Sequence, residues 1–283
     1  MREYFFGRYF KCCSETGTVA VIPAYHRAGG KAGCSIQIIT DAGAWNAGFP
    51  FDSYKKGKDG FSVEIGANRF GADGMKLDID AAGLHVEGEV SFGAFTPLEY
   101  DIMGPFRFVP FMECRHSVAS MLHSVNGEIT VNGERYVFDD ADGYIEGDRG
   151  YSFPREYAWT QCFFNGGSLM LSVARIPFGP FCFTGIIGVV RLGEKEYRIA
   201  TYKGAKPVKI GNGEVEIRQK DVEFSARLIE KKPHPLYAPA GGAMTRTIRE
   251  SASCRAAYKL TVGGDTLLDT ESERASFEYE YPN

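Results

Sequence analysis

Residues 144–164 read Tyr-Ile-Glu-Gly-Asp-Arg-Gly-Tyr-Ser-Phe-Pro-Arg-Glu-Tyr-Ala-Trp-Thr-Gln-Cys-Phe-Phe. They lie at the middle of a 283-residue chain and mix charge, aromatic rings and turn residues more densely than the rest of it. The pattern predicts two short strands, 143–148 and 157–164, flanking a bend built around Gly150 and Pro154. Alternate side chains of an extended segment share a face. Tyr144, Glu146 and Asp148 therefore point one way, and Ile145 and Arg149 the other. On the second strand Tyr157, Trp159, Gln161 and Phe163 share a face. Each strand offers one side of polar or amphipathic groups among aromatics, as the lining of a ligand pocket does. The plainer reading is that Asp148 and Arg149 close a turn while the rings fill core.

On either side of this stretch the chain reads as strands. Before it come 5–11 and 18–25 with a turn at 14–17, then 34–40, 61–65, 75–79, 83–88 and 90–95. Residues 102–111, irregular around Pro97, Pro105 and Pro110, read as a long connection. Two Asn-Gly pairs follow, Asn126-Gly127 and Asn132-Gly133, each between β-type runs. Asn-Gly is the strongest local hairpin signal, so they predict a three-stranded meander, with a turn at 139–143. After the central stretch, 215–217 and 222–228 alternate with period two, and 231–240 is proline-rich and extended. Residues 244–253 favour strand over a short helix, because Thr245, Thr247 and Ile248 are β-branched. No capped segment of 3.6-residue period stands out. The fold class is all-β, in two barrel or sandwich domains expected at 1–140 and 141–283, with little helix.

Composition narrows the function. Net charge is −4, and Lys55, Lys56 and Lys58 form the nearest thing to a basic run, in a glycine-flanked loop. That argues against nucleic acid as a partner. Seven cysteines without a Cys-x-x-Cys spacing read as reduced, buried thiols of a cytoplasmic protein. The N-terminus lacks an apolar signal core, and no apolar run is long enough for a transmembrane segment.

Nucleotide-binding glycine motifs, Gly-x-Ser-x-Gly and His-Glu-x-x-His are all missing from the sequence. Of five histidines, only His116 and His123 are close in sequence, and as strand residues they fall on opposite faces. That argues against a shared metal, and each reads by default as structural. Glu113, Arg115 and Ser117 share the face opposite His116, where an ion pair is the ordinary outcome. Carboxylates are the better candidates. Glu146 and Asp148 lie two apart on one face, so in an aromatic pocket they repel each other and one stays protonated. A neutral acid in a dry cavity can protonate an olefin or carbonyl, and rings such as Tyr157, Trp159 and Phe163 would stabilise the cation. The rival reading has Arg149, Arg155 or Arg175 neutralising the acids.

The run from Gly143 to Cys162 resembles the signature of the tocopherol cyclase family, Gly-Tyr-x-Glu-x-Asp-x-Gly-x-Ser-Phe-Pro followed by Trp-x-Trp-x-Gln. Further pieces agree in order. They are Tyr9-Phe-Lys with Ala20-Val-Ile-Pro, Ile65-Gly-x-Asn-x-Phe, Leu77-Asp, Pro110-Phe-Met-Glu-Cys-Arg-His, Pro235-Leu-x-Ala-Pro and Met244-x-Arg-x-Ile-x-Glu. The likeness covers nearly the whole chain. It implies paired calycin-like (lipocalin-like) β-domains sharing an elongated apolar cavity, in the superfamily that includes carotenoid hydratase-like and AttH-like proteins. Such relatives act on isoprenoid or polyketide chains by hydration, cyclisation or cycloaddition, and the cyclisation needs no metal or redox cofactor. Two positions depart from the pattern: Tyr157 replaces the first Trp, and Arg149 stands where Trp is common.

The leading expectation is a cofactor-independent cyclase or isomerase of a hydrophobic, prenyl-like small molecule. Asp148 or Glu146 would donate the proton, Tyr157 and Trp159 would line the pocket, and Gln161 and Arg149 would orient a polar head group. Glu113 and His116 join the candidate substrate-binding set. The alternative is a binding protein that carries such a ligand unchanged. A third, weaker expectation is a lipocalin-like scaffold with no enclosed cavity.

Overall fold

The structure, a computed structural model, describes residues 3–110, 112–178, 180–230 and 232–282. It is almost all antiparallel β-structure in two sheets, without a closed barrel. The first sheet holds β1 (Tyr4–Ser14), β2 (Gly17–Ala28), β3 (Lys31–Thr40), β4 (Ala44–Phe49), β5 (Tyr54–Lys56) and β6 (Val63–Ile65). It continues with β7 (Asn68–Phe70), β8 (Gly74–Ala81), β9 (Leu84–Phe92), β10 (Cys114–Val131) and β11 (Glu134–Gly150). Its spatial order is 4-3-2-1-11-10-9-8-7-6-5.

The second sheet holds β12 (Tyr157–Phe164), β13 (Gly167–Phe178), β14 (Phe181–Leu192), β15 (Lys195–Ala200), β16 (Lys206–Gly211) and β17 (Glu214–Gln219). It ends with β18 (Val222–Glu230), β20 (Ala243–Val262) and β21 (Asp265–Tyr279), while β19 (His234–Ala240) pairs with β20 alone. The expected connection at 102–111 contains one short 3-10 helix, Gly104–Phe108, and its last residue, Phe111, lies outside the described residues, as does Lys231 of the extended 231–240 stretch.

Two compact units divide the chain. One is Met1–Glu99 with Phe111–Phe153 and Pro235–Thr247; the other is Tyr100–Pro110 with Pro154–His234 and Ile248–Asn283. The boundary expected at residue 140 falls inside β11, which pairs with β10 from Glu134 to Gly150 and with β1 from Asp142 to Gly150. A cut there would separate bonded strands.

Each unit has its own core on one sheet face, set by period-two alternation. In the first it includes Phe10, Val21, Ile36, Ile38, Ile129 and Ile145; in the second, Leu171, Val173, Val190, Phe224, Tyr258 and Phe277. In the first unit the other face of the sheet is buried too. It carries Lys11, Ser35, Gln37, Tyr144 and Glu146, none more than 6% exposed. Buried polar groups need partners. Gln37 meets this by bonding twice to β19, accepting from the Tyr237 amide at 2.8 Å and donating to its carbonyl at 2.9 Å.

Only one of the two Asn-Gly pairs makes a hairpin. Asn132 and Gly133 take left-handed φ values of 51° and 86° between β10 and β11. Asn126-Gly127 lies inside β10, which runs on through it with a register shift between Val125 and Gly127. The reason is flanking strands on both sides: β9 and β11 hold β10 extended, and a turn would break both ladders. Gly127 is needed here for another purpose. At φ 131° a Cβ would lie 2.3 Å from the Glu89 carbonyl oxygen. We expect Gly127→Ala to lower stability by about 2–4 kcal/mol, from backbone strain plus overpacking. Urea denaturation measures it, and a loss under about 1 kcal/mol would contradict this account. The turn expected at 139–143 is likewise absent from the described residues. Asp140 takes φ 48°, yet β11 continues as one strand, so the two runs read as separate are a single element.

All seven cysteines are free, but not all are buried as expected: Cys182 is exposed and Cys114 half-buried. No helix among the described residues is long and apolar enough to cross a membrane.

Candidate active site

The acidic face of β11 meets its neighbours in register. Asp148 is opposite His116 of β10 and Gly7 of β1, and Glu146 is opposite Val118 and Tyr9. Residues directly opposite share a face. The His116 ring therefore lies against both acids. Its Nδ1 is 3.0 Å from Asp148 Oδ1, and its Nε2 is 3.2 Å from Glu146 Oε2. The Tyr144 hydroxyl donates to the same Glu146 oxygen at 2.6 Å, and the Cys114 thiol donates to Asp148 Oδ1 at 3.2 Å. The His116 and Glu146 side chains are 9% and 6% exposed, whereas Asp148 retains 21%. Asp148 is the member of the cluster that reaches towards solvent.

The electrostatics follow from this crowding. Burial disfavours the charged imidazolium of His116, but the facing Glu146 and Asp148 carboxylates outweigh it and hold the ring's pKa well above its usual value. Burial, with Glu146 next to it, pushes the Tyr144 phenol up; burial, with Asp148 next to it, does the same to the Cys114 thiol. Neither is a nucleophile near neutral pH. Sequence reasoning foresaw two acids repelling each other. In the structure the His116 ring stands between them, 3.2 Å from Glu146 and 3.0 Å from Asp148.

His116, Glu146 and Asp148 each offer one ligand atom, all within 4.8 Å of one another, so this trio also has the spacing of a metal site. An imidazole must give up its proton to bind a metal. The raised pKa of His116 sets a proton against an ion here.

The remaining candidates are spread out. Arg149 is exposed and sits opposite Phe6 and Arg115, on the other face of β11 from the acids. Glu113 is half-buried, and its carbonyl accepts the Tyr151 amide at 2.9 Å. Tyr157, Trp159 and Gln161 share one buried face of β12, as the alternation requires, but they belong to the second unit. There the Tyr157 hydroxyl donates to Glu278, and Trp159 lies opposite Glu278 across the ladder. The β-branched and aromatic pattern gave the strand; nothing in it pointed to Glu278, more than a hundred residues away.

His123 is on the opposite face from His116, as read from the sequence. It packs on the Phe92 and Phe95 rings at 4.9 and 5.0 Å, and its Nδ1 shares a hydrogen bond with Ser120 Oγ at 3.0 Å. Burial lowers its pKa to about 4. The unfolded chain binds a proton near pH 6.5 that the folded chain refuses, so stability falls as pH drops from there towards 4. One pKa unit is about 1.4 kcal/mol, so this histidine removes about 3 kcal/mol over that window. We expect denaturation of the wild type and of His123→Gln, compared between pH 7 and pH 4, to show a flatter pH slope in the variant. Equal slopes would show that His123 is charged when folded.

No protein-family model matches this sequence, and no curated protein matches it. Solved structures do. A putative AttH from Nitrosomonas europaea aligns over 100% of this chain and 93% of its own, at 11% identity and a TM-score of 0.54. CghA, in its structure with Sch210972, aligns over 99% and 89%, at 10% identity and a TM-score of 0.63. Kievitone hydratase from Nectria haematococca aligns over 99% and 89%, at 10% identity and a TM-score of 0.55. The chain shares their fold. At such identities the likeness speaks for architecture alone, and it extends over nearly the full length of each relative.

Proposed function

We propose that this protein is a cofactor-independent, tocopherol cyclase-like cyclase or isomerase of a hydrophobic prenylated or polyketide-like substrate. The observation that carries the reading is the buried His116 ring held between Glu146 and Asp148 on one sheet face. The motif likeness covers the same residues. Kievitone hydratase is named for water addition to a small organic molecule, and CghA was crystallised with another, which agrees with such chemistry on this fold.

Proton transfer from His116 Nδ1 to Asp148 Oδ1 turns an imidazolium and a carboxylate into a neutral ring and a carboxylic acid. The acid is the stronger donor towards carbon. Asp148, the more exposed of the two, gives the proton to a substrate double bond. An internal hydroxyl closes on the resulting cation and releases its own proton, which returns to the cluster. Atoms and charge balance, and product and substrate are isomers. Glu146, fixed by the Tyr144 hydroxyl, holds His116 in place. Gly7 places no side chain opposite Asp148, and a methyl there would meet nothing nearer than 3.7 Å. A strand glycine of this kind allows close approach of a ligand.

The test is incubation with a panel of prenylated phenols and polyenes, followed by chromatography and mass spectrometry. Formation of an isomer or a water adduct, dependent on the protein, is the expected result; no conversion across the panel counts against the proposal. The tight hold on the His116 proton favours a second reading, a carrier in which the trio is a structural ion cluster. Unmodified ligand at unit stoichiometry in a lipid extract of the purified protein, with no conversion over time, would favour the carrier.

A further inference from the structure

Three segments of the second unit converge on an exposed aromatic surface. They are the 3-10 helix Gly104–Phe108, the start of β14, and a second 3-10 turn, Thr201–Lys203. Phe106 bridges them, with its ring 6.3 Å from Phe183 and 5.9 Å from Tyr202. Gly104 lies so close to the Tyr202 ring that a Cβ would be 2.5 Å from it. Around this anchored ring stand Phe108 and Phe181, 74% and 73% exposed, with Phe183 at 37%. Large apolar side chains so open to water mark a binding surface when they cluster.

The three segments themselves carry charge of one sign. Residues 102–110, 176–193 and 201–211 contain no Asp or Glu, in a chain whose net charge is −4. They supply Arg107, Lys203 and Lys206, all exposed, and the Arg107 guanidinium lies 4.5 Å from the Phe108 ring centre. Asp101, the nearest acid before the first segment, is turned onto the Met103 amide at 2.8 Å.

We infer that this patch docks the protein on an anionic lipid surface. Protruding Phe side chains enter the boundary between headgroups and acyl chains, and flanking Lys and Arg meet lipid phosphates. Each such cation adds to the attraction next to an anionic leaflet. These rings stand on turns and a strand end whose own segments carry Lys and Arg and no acid, the complement of an anionic surface. The inference goes beyond the proposed catalysis, and its test contains no substrate, so either can fail alone.

The experiment is co-sedimentation of the full chain with phosphatidylcholine vesicles, with and without about 30% phosphatidylglycerol. Binding is expected only to the anionic vesicles, weakening in high salt. Both Phe108→Ser/Phe181→Ser and Lys203→Glu/Lys206→Glu should lose about tenfold or more in affinity. Both variants change exposed residues, and circular dichroism confirms that they are folded. No binding to anionic vesicles, or equal binding by the variants, overturns the inference. So does a wild-type dimer in light scattering that the Phe variant dissolves while vesicles stay unbound, which would make a second copy the occupant.

Discussion

Asp148→Asn should lower turnover by about a thousandfold or more while leaving ligand affinity within about threefold, because general acid catalysis contributes about 10²–10⁴ and an amide cannot supply the proton. The side chain keeps its shape and can still accept from His116, so the fold has no reason to change. Glu146→Gln should act differently. It removes the charge that holds His116 Nε2 but leaves Asp148 in place, and a loss of about tenfold to a hundredfold is expected, with a shifted pH profile. The readout is kcat and KM for both variants on whichever substrate is converted, with binding followed by tryptophan fluorescence. Turnover unchanged in both would end the catalytic reading. A loss of binding equal to the loss of turnover would point to substrate positioning instead of proton transfer.

Removing the cation is the more drastic experiment. His116→Leu leaves Glu146 and Asp148 buried without the ring between them. Breaking a buried charge arrangement from one side costs about 3–5 kcal/mol, because the remaining charges lose their compensation. We expect that loss at neutral pH, measured by urea denaturation. The triple variant His116→Leu/Glu146→Gln/Asp148→Asn should recover most of it, since none of the three positions then carries a buried charge. A loss under about 1 kcal/mol in the single variant, or no recovery in the triple, would mean that the three side chains do not act as a unit.

The two buried histidines pull stability in opposite directions with pH. His116 has a folded pKa raised by Glu146 and Asp148, so its contribution is complete below about pH 6.5 and is lost as pH rises through the folded value. His123 has a folded pKa lowered to about 4 by burial, so its cost grows as pH falls below about 6.5. Together they favour greatest stability close to the ordinary histidine pKa.

The strand pattern around residues 144–164 was legible because backbone geometry is local. Period-two alternation put Tyr144, Glu146 and Asp148 on one face and Tyr157, Trp159 and Gln161 on another, and β12 spans Tyr157–Phe164 as read. The all-β class followed from the same signal repeated along the chain. Which residues face the acids was not legible, and the register of β10 on β11 shows why. From the Asn132-Gly133 turn, where Val131 pairs with Glu134, an uninterrupted ladder would set His116 opposite Arg149. Three register shifts in β10 move it by one residue, opposite Asp148. A slip of one residue exchanges the two faces of a strand. Local sequence thus fixes which side chains of one strand stand together. Partners on neighbouring strands depend on bulges whose cause is packing: the close approach of Gly127 to Glu89, or of Gly143 to the His123 ring. That packing exists only once distant segments have met.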